Sequence, residues 1–205
     1  MKPIKTIFFD LGKVIVNFDL AILERGYAAY GYKPDGNIDE YIMGSESGTR
    51  YMEGDISSSD FYKRTRRSFK MDIKYNEFYE VWNSMFFPNP EVENIIKSIK
   101  KNYPDIALVL MSDTNEAHYN FLKERYEVLG LIDHNVLSYK VGRLKPHPDM
   151  FKEGLRLTGS LPKEVFYTDD RLELIEAARI MGIRAFQFTG HEALLADLAK
   201  VGINV

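Results

Sequence analysis

The sequence predicts an α/β fold: a Rossmann-like parallel sheet flanked by helices, with a small helical-bundle cap domain. Residues 106–111 form an almost uninterrupted apolar run, which is typical of a strand buried on both faces of a parallel sheet. Shorter apolar segments at 4–9, 165–168 and 184–188 alternate with helical patterns, as in βα units. Residues 18–92 instead contain helical patterns and no convincing buried strand.

The helices of the two regions are predicted from periodicity, capping residues and breakers. Pro148 suits a first helical turn, and Gly182 suits a helix end. In the sheet region, helices are predicted at about 115–127, 148–158, 172–181 and 191–200. In the insert, they are predicted at about 19–30, 38–47, 58–69 and 75–85. We therefore divide the chain into an α/β core (1–16 and 93–205) and a helical cap (17–92).

Composition excludes several classes of function. The chain has 205 residues, is 45% hydrophobic and 28% charged, and carries a net charge of -3, which does not favour nucleic-acid binding. It has no cysteine, so thiolate catalysis and cysteine-ligated zinc are excluded. The apolar run at residues 7–9 is too short for a signal peptide or a membrane span. We expect a cytoplasmic protein with no membrane partner; the oligomeric state is left open.

Polar residues follow the predicted strands where a parallel sheet binds its ligands. Asp10, Ser112 and the pair Asp169-Asp170 each come at a strand end, and Lys145 lies in a loop before a helix. Carboxylates from two strand ends can share one hard cation, because Mg²⁺ prefers oxygen ligands. A lysine and a hydroxyl nearby would suit a phosphate. Each feature alone is common in helix caps and loops, and it is their order that is informative.

These segments, taken in order, resemble the signatures of the haloacid dehalogenase (HAD) superfamily along the whole chain. The matching segments are residues 8–16 (FFDLGKVIV), 109–115 (VLMSDTN), 145–151 (KPHPDMF), 165–170 (VFYTDD) and 177–183 (AARIMGI). The helical insert is similar to the cap of that superfamily. Residues 52–57 (MEGDIS) are similar to a cap segment of its sugar-phosphatase-like branch.

The resemblance implies a metal-assisted nucleophilic mechanism. Asp10 would be the nucleophile, forming an aspartyl-phosphate that water hydrolyses. Asp170 would bind Mg²⁺ together with Asp10 and the backbone carbonyl of Gly12. Asp169 would act through a water or by supporting the ligands.

The same resemblance assigns the phosphate-binding groups. The Ser112 hydroxyl and the Asp113 amide would bind phosphoryl oxygens. Lys145 would neutralise charge on the phosphate and on the nucleophile. The expected partner is thus a small-molecule phosphate ester.

Three positions depart from the family pattern. Gly12 stands where most family phosphatases have an acid that protonates the leaving group, help that is worth about 10² to 10⁴ in rate. The leaving group could depart without a proton, Asp113, Glu53 or Asp55 could substitute, or the protein could be a weak enzyme or a ligand sensor. Lys13 and Asp113 stand where asparagine is usual, and we hypothesise that they pair with each other.

Three functions are therefore considered. The leading prediction is a Mg²⁺-dependent phosphatase acting on a small phosphorylated metabolite, with sugar phosphates as one candidate class. The alternatives are a metal-independent 2-haloacid dehalogenase and a non-catalytic, phosphometabolite-binding regulatory protein.

The four histidines (118, 134, 147 and 191) are predicted to be structural or surface groups. The many aromatic residues of the insert are predicted to form its own core, although Tyr51 could instead face the crevice and stack on a sugar ring.

Overall fold

The computed structural model describes residues 2–33 and 38–205, and its centre is a five-stranded parallel sheet. The strands are β1 (Thr6–Phe9), β4 (Ala107–Ser112), β5 (His134–Leu137), β6 (Val165–Asp169) and β7 (Arg184–Gln187). Their spatial order is β5-β4-β1-β6-β7, so β1 lies in the middle. All four residues of β1 are buried, as expected for the central strand of a sheet covered on both faces.

Helices cover both faces of this sheet. They are α6 (Pro90–Asn102), α7 (Glu116–Arg125), α8 (Ser138–Val141), α9 (Pro148–Thr158), α10 (Leu172–Ile180) and α11 (His191–Lys200). Side chains alternate across β1: Ile7 and Phe9 pack with α6, α7 and α11, whereas Phe8 packs with α9 and α10. Fully burying a side chain such as Phe8 contributes about 1.5–3 kcal/mol. The predicted α/β fold is confirmed.

The insert folds around its own aromatic core. Its helices are α1 (Leu20–Ala28), α2 (Ile38–Gly44), α3 (Glu46–Met52), α4 (Ser58–Ser68) and α5 (Tyr75–Asn83). Tyr27, Phe61, Phe78 and Trp82 are fully buried in it. The Tyr51 ring stacks on Phe61 with 4.3 Å between centroids, and the residue is 3% exposed. The alternative in which Tyr51 faces the crevice is therefore wrong.

Some elements differ from the sequence prediction. The single helix expected over 38–47 is two helices, because Ser45 is extended and caps α3 by accepting the N–H of Gly48. Two short strands, β2 (Val16–Phe18) and β3 (Phe86–Pro88), pair antiparallel where the chain enters and leaves the insert. Strand β5 and helices α6 and α8 were not predicted. The boundaries at 16/17 and 92/93 stay a prediction, and α6 begins just before the second of them.

His118 joins the insert to the core. Its ring stacks on Trp82 of α5 at 4.8 Å and meets Phe86 of β3 edge-on at 4.8 Å. Its Nε2 lies 3.3 Å from the Trp82 carbonyl, and its Nδ1 lies 3.1 Å from the Asn115 side-chain nitrogen. Burial lowers the pKa of His118 from 6.5 to about 3. The imidazole is thus neutral in the folded protein at any ordinary pH.

This burial predicts an acid-sensitive contribution to stability. Below pH 6.5 the unfolded chain binds a proton at His118, whereas the folded chain does so only near pH 3. The free energy of unfolding should therefore fall as the pH drops through this window, by up to about 1.4 kcal/mol per pH unit. Urea denaturation between pH 4 and 7 measures the slope.

The matched variants are His118→Phe, which removes the titrating group, and His191→Asn, which removes an exposed one. His118→Phe should flatten the slope, and His191→Asn should leave it unchanged. An unaltered slope in His118→Phe would contradict the argument.

Candidate active site

Asp10 lies directly after β1 at the carboxyl edge of the sheet. Its N–H donates to the Thr168 carbonyl of β6, 3.0 Å away, so the backbone continues the β1–β6 ladder by one residue. Asp10 is 7% exposed. Because parallel strands end at one edge, Ser112 of β4 and Asp169 of β6 lie at the same rim. The register thus gathers residues that are far apart in sequence.

Lys145 occupies the centre of this rim. Its Nζ donates to Asp10 Oδ1 at 2.5 Å, to Asp169 Oδ2 at 2.6 Å and to the Met111 carbonyl at 3.2 Å. The side chain is fully buried. Although burial alone would lower the pKa of Lys145, the carboxylates of Asp10 and Asp169 raise it well above its usual value. The ammonium is therefore a permanent cation at the predicted nucleophile.

Three carboxylates lie close together beside this ammonium group. One oxygen from each of Asp10, Asp169 and Asp170 lies within 4.8 Å of the others. Burial and the Asp169 charge together raise the pKa of Asp10 to about 7, against the opposing effect of Lys145. Burial and the Asp169 charge also raise the pKa of Asp170. The cluster therefore carries more negative charge than Lys145 balances.

A divalent cation fits this cluster. The carboxylates are hard oxygen donors that arrive from two neighbouring strand ends, at a spacing that one ion can bridge. A bound cation would relieve the repulsion among the acids. The residues present thus suit Mg²⁺ better than a softer metal, since histidine and cysteine are absent from the cluster.

The two adjacent acids have different surroundings. Asp169 is fully buried and accepts hydrogen bonds from the Tyr167 hydroxyl at 2.5 Å, from the Arg171 N–H at 3.0 Å and from Lys145. Burial alone would raise the pKa of Asp169, but Lys145 outweighs it and the pKa is lowered. Asp170 instead lines the cavity, with a side chain that is 25% exposed. Asp170 can reach a ligand, whereas Asp169 supports its neighbours.

Ser112 and Asp113 line the same cavity but differ in their freedom. Within residues 2–33 and 38–205, the Ser112 hydroxyl has no protein hydrogen-bond partner, so it is available to a ligand. Asp113 has both carboxylate oxygens engaged. Oδ1 accepts the Lys145 N–H and Oδ2 accepts the Arg171 guanidinium, each at 2.8 Å.

The hypothesis that Lys13 pairs with Asp113 is wrong. Asp113 pairs with Arg171, and the Lys13 ammonium lies 3.7 Å from Asp170. Two separate ion pairs therefore replace the single predicted one. Lys13 also has a φ of 61°, in the left-handed region that asparagine tolerates better than lysine.

The two other residues considered as replacement acids, Glu53 and Asp55, do not line the cavity. Glu53 follows α3, and Asp55 is exposed and lies 3.9 Å from Arg50. Neither belongs to the cavity wall. Of the three candidates only Asp113 reaches the site, and its carboxylate is held by two donors.

A cavity of about 350 Å³ opens above this rim. Its polar wall comes from the core, with these residues: Asp10, Gly12, Lys13, Ser112, Asp113, Thr114, Asn115, His118, Asp170 and Arg171. Its apolar wall comes from the insert, with these residues: Phe18, Leu20, Ile42, Met52, Met85 and Phe86. Leu11 completes the lining. The site is thus enclosed between the two parts of the chain.

A hydrogen-bonded junction holds the insert against the core. The Ser138 hydroxyl is bonded to the carbonyls of Met52 and Thr114, at 2.6 and 2.9 Å, and accepts the Thr114 N–H at 2.9 Å. Beside it, a Cβ at Gly54 would lie 2.2 Å from the Tyr139 carbonyl oxygen, and Gly54 has a φ of +79°. Only glycine permits this close approach, which accounts for the glycine of the 52–57 segment.

Sequence reasoning missed Arg171, Phe18 and the place of His118 on the cavity wall. Arg171 follows the acid pair directly, and a cation at that position was the available signal for a partner of Asp113. Phe18 carried no such signal, because its role depends on how β2 folds back over Gly12.

Comparison with known proteins places this geometry in a family. A family model described as a haloacid dehalogenase-like hydrolase matches residues 4–182. The chain belongs to the haloacid dehalogenase-like hydrolase family. The predicted superfamily and the predicted hydrolase class are thereby confirmed.

Individual members of the HAD-like family resemble the whole chain. D-ribitol-5-phosphate phosphatase of Bacteroides thetaiotaomicron is 26% identical over 195 residues, which cover 90% of this chain and 91% of that protein. A solved HAD family enzyme from the same organism, in complex with magnesium and inorganic phosphate, superposes with a TM-score of 0.80. It is 23% identical and covers 90% of this chain and 93% of its own. A HAD-like hydrolase from Porphyromonas gingivalis superposes with a TM-score of 0.77 at 23% identity, covering 91% of each chain. These likenesses establish the shared fold.

The ion pairs predict a specific pattern of energetic coupling. Asp113→Asn and Arg171→Gln should be non-additive, with a coupling free energy of about 0.5–3 kcal/mol, because they break one half-buried pair. Lys13→Asn and Asp113→Asn should add to within about 0.5 kcal/mol, because their ion-pair partners differ. Urea denaturation of the two double-mutant cycles measures both quantities. A coupling free energy found only between Lys13→Asn and Asp113→Asn would support the Lys13–Asp113 pair and contradict the pairs seen in the structure.

Proposed function

We propose that the protein is a Mg²⁺-dependent phosphatase that hydrolyses a small phosphomonoester through an aspartyl-phosphate on Asp10. The observation that carries the proposal is the buried Lys145 ammonium, 2.5 Å from Asp10 and 2.6 Å from Asp169, beside the cavity-lining Asp170. A carboxylate that attacks a phosphate dianion meets like-charge repulsion, which needs fixed positive charge nearby.

Each group of the chain has a proposed task. An Asp10 carboxylate oxygen attacks phosphorus, and Lys145 neutralises charge on Asp10 and on the incoming phosphate. The Ser112 hydroxyl and the Asp113 amide bind phosphoryl oxygens. Water then attacks phosphorus and releases phosphate, which regenerates the Asp10 carboxylate.

Mg²⁺ would be held by Asp10, Asp170 and the Gly12 carbonyl. Asp169 would act by holding Lys145 and orienting its neighbours, as its complete set of hydrogen bonds suggests. When bound, the ion neutralises the negative charge of phosphate oxygens.

The relatives support this assignment. D-ribitol-5-phosphate phosphatase acts on a phosphorylated polyol, and the solved relative holds magnesium and inorganic phosphate. They keep sugar phosphates among the candidate substrates. Among the described residues, no helix combines the length and apolarity needed to cross a membrane. A cytoplasmic location stays a prediction.

The acid cluster disfavours the metal-independent dehalogenase. That reaction uses a nucleophilic carboxylate but brings no divalent cation to the cluster of Asp10, Asp169 and Asp170, whose mutual repulsion then has only the nearby lysines and Arg171 to offset it. The departures at Gly12 and Asp113 had favoured a non-catalytic protein. The ion pair with Arg171 accounts for the carboxylate at position 113, so this departure does not argue against a functional site.

Removing the nucleophile tests the reaction itself. Asp10→Asn should reduce hydrolysis of p-nitrophenyl phosphate with Mg²⁺ by at least roughly 10³-fold, because no other group can form the covalent intermediate. Asp105→Asn, at an exposed position, is the matched control and should retain full activity. Release of inorganic phosphate provides the measurement. Equal turnover by the two variants would refute the assignment of Asp10.

Removing a metal ligand tests the metal. Asp170→Asn should weaken Mg²⁺ binding at least roughly 10- to 100-fold, since even supporting residues have effects of that size. Calorimetric titration with Mg²⁺ measures binding independently of turnover, and EDTA should abolish phosphatase activity. Halide release from 2-chloropropionate that survives EDTA would favour the dehalogenase instead.

A further inference from the structure

We propose that the site is specific for aryl phosphates, whose leaving oxygen departs from an apolar group without taking a proton from the protein. This inference rests on the proposed phosphatase function and adds the class of substrate. Three features of the cavity support it: a blocked position at residue 12, the absence of a free acid, and an apolar wall.

The first feature is the ring of Phe18. A Cβ at Gly12 would lie 2.9 Å from a Phe18 ring carbon, so any side chain at position 12 would displace this ring. The ring is held by β2, where Phe18 pairs with Phe86 of β3, and by an edge-on contact with Phe86 at 6.3 Å. The Phe18 ring thus occupies the space that an acidic side chain at position 12 would need.

The second feature is that the acids of the cavity already have partners. Both carboxylate oxygens of Asp113 are engaged as acceptors, one by the Lys145 N–H and one by the Arg171 guanidinium. Both ring nitrogens of His118 face partners, and burial keeps the ring neutral. Asp10 and Asp170 belong to the nucleophile and metal set. Among the described residues that line the cavity, none is a free carboxylic acid or imidazolium.

The cavity contains two basic side chains that could assist the leaving group in place of a proton donor. Lys13, close to the Phe18 ring at 5.5 Å, and Arg171 both line the cavity and carry positive charge. They can stabilise an oxyanion as it departs without transferring a proton to it. This suits a weakly basic leaving oxygen, which is stable as an anion.

The third feature is the apolar wall. Among the residues that the structure describes, every wall residue contributed by the insert is hydrophobic: Phe18, Leu20, Ile42, Met52, Met85 and Phe86. The hydroxyls of a polyol would lose their hydrogen bonds to water against this wall and find no replacement there. An aromatic ring would bury apolar surface and contact Phe18 and Phe86 at favourable angles.

The proposed step keeps all atoms and electrons accounted for. An Asp10 oxygen forms a bond to phosphorus while the bond from phosphorus to the aryl oxygen breaks. The aryl oxygen keeps the bonding electron pair, leaves as an aryloxide and takes a proton from solvent afterwards. Water then cleaves the aspartyl-phosphate, giving inorganic phosphate and the free carboxylate.

A series of substituted phenyl phosphates tests the unprotonated departure. In the Mg²⁺-loaded full-length protein, kcat/KM should fall steeply as the leaving-group pKa rises, because no acid donates a proton to a poorer leaving group. A shallow dependence would overturn the proposal. A shallow dependence that becomes steep in Lys13→Met would identify Lys13 as the proton donor, and this also overturns it.

Binding of inert analogues tests the apolar wall separately from turnover. Benzylphosphonate should bind more tightly than 2-hydroxyethylphosphonate in calorimetry, and Met85→Gln should reduce this preference severalfold. The control is Leu161→Gln, the same kind of apolar-to-amide change at an exposed residue outside the cavity. It should leave the preference unchanged.

Polyol phosphates distinguish failure of this inference from failure of the proposed function. Faster hydrolysis of ribitol 5-phosphate than of phenyl phosphate would overturn the substrate class and leave the phosphatase standing. Absence of hydrolysis of every phosphate ester, together with no difference between wild type and Asp10→Asn, would overturn both.

Discussion

The site depends on one ammonium group shared by two buried carboxylates. Lys145 reaches the sheet edge fully desolvated and is bound by Asp10, Asp169 and the Met111 carbonyl. Removing one member of a buried ion pair leaves an uncompensated charge, which typically costs about 3–5 kcal/mol. The same contacts that neutralise this charge also fix the position of Asp10. Folding and the proposed reaction therefore rely on the same atoms.

The sequence was informative where one strong pattern decided the structure. The apolar run of β4 and the acid pair that ends β6 were recognisable, because burial on both faces demands continuous hydrophobicity. Strand β5 was not, because it begins with His134 and Asn135, which are only half-buried at the edge of the sheet. The break at Ser45 was missed because a serine inside a helical pattern can either cap a helix or lie within it.

The candidate site shows the same division. Asp10, Ser112 and Asp169 could be predicted at the rim because each lies at a strand end, and Lys145 because the order of all four segments matches a known pattern. The partners of Asp113 and Lys13 could not, since pairing among charged side chains depends on distances that sequence does not contain. Two substitutions that looked mutually compensating in fact belong to two different ion pairs, with Arg171 and with Asp170.

Apart from Leu11, the apolar wall of the cavity comes from the insert, whereas its polar and charged groups come from the core. The proposed selection of a substrate and the proposed reaction with it are thus encoded in separate stretches of the gene. Substitutions within residues 18–86 should change which molecules bind while the polar groups of the core keep their positions.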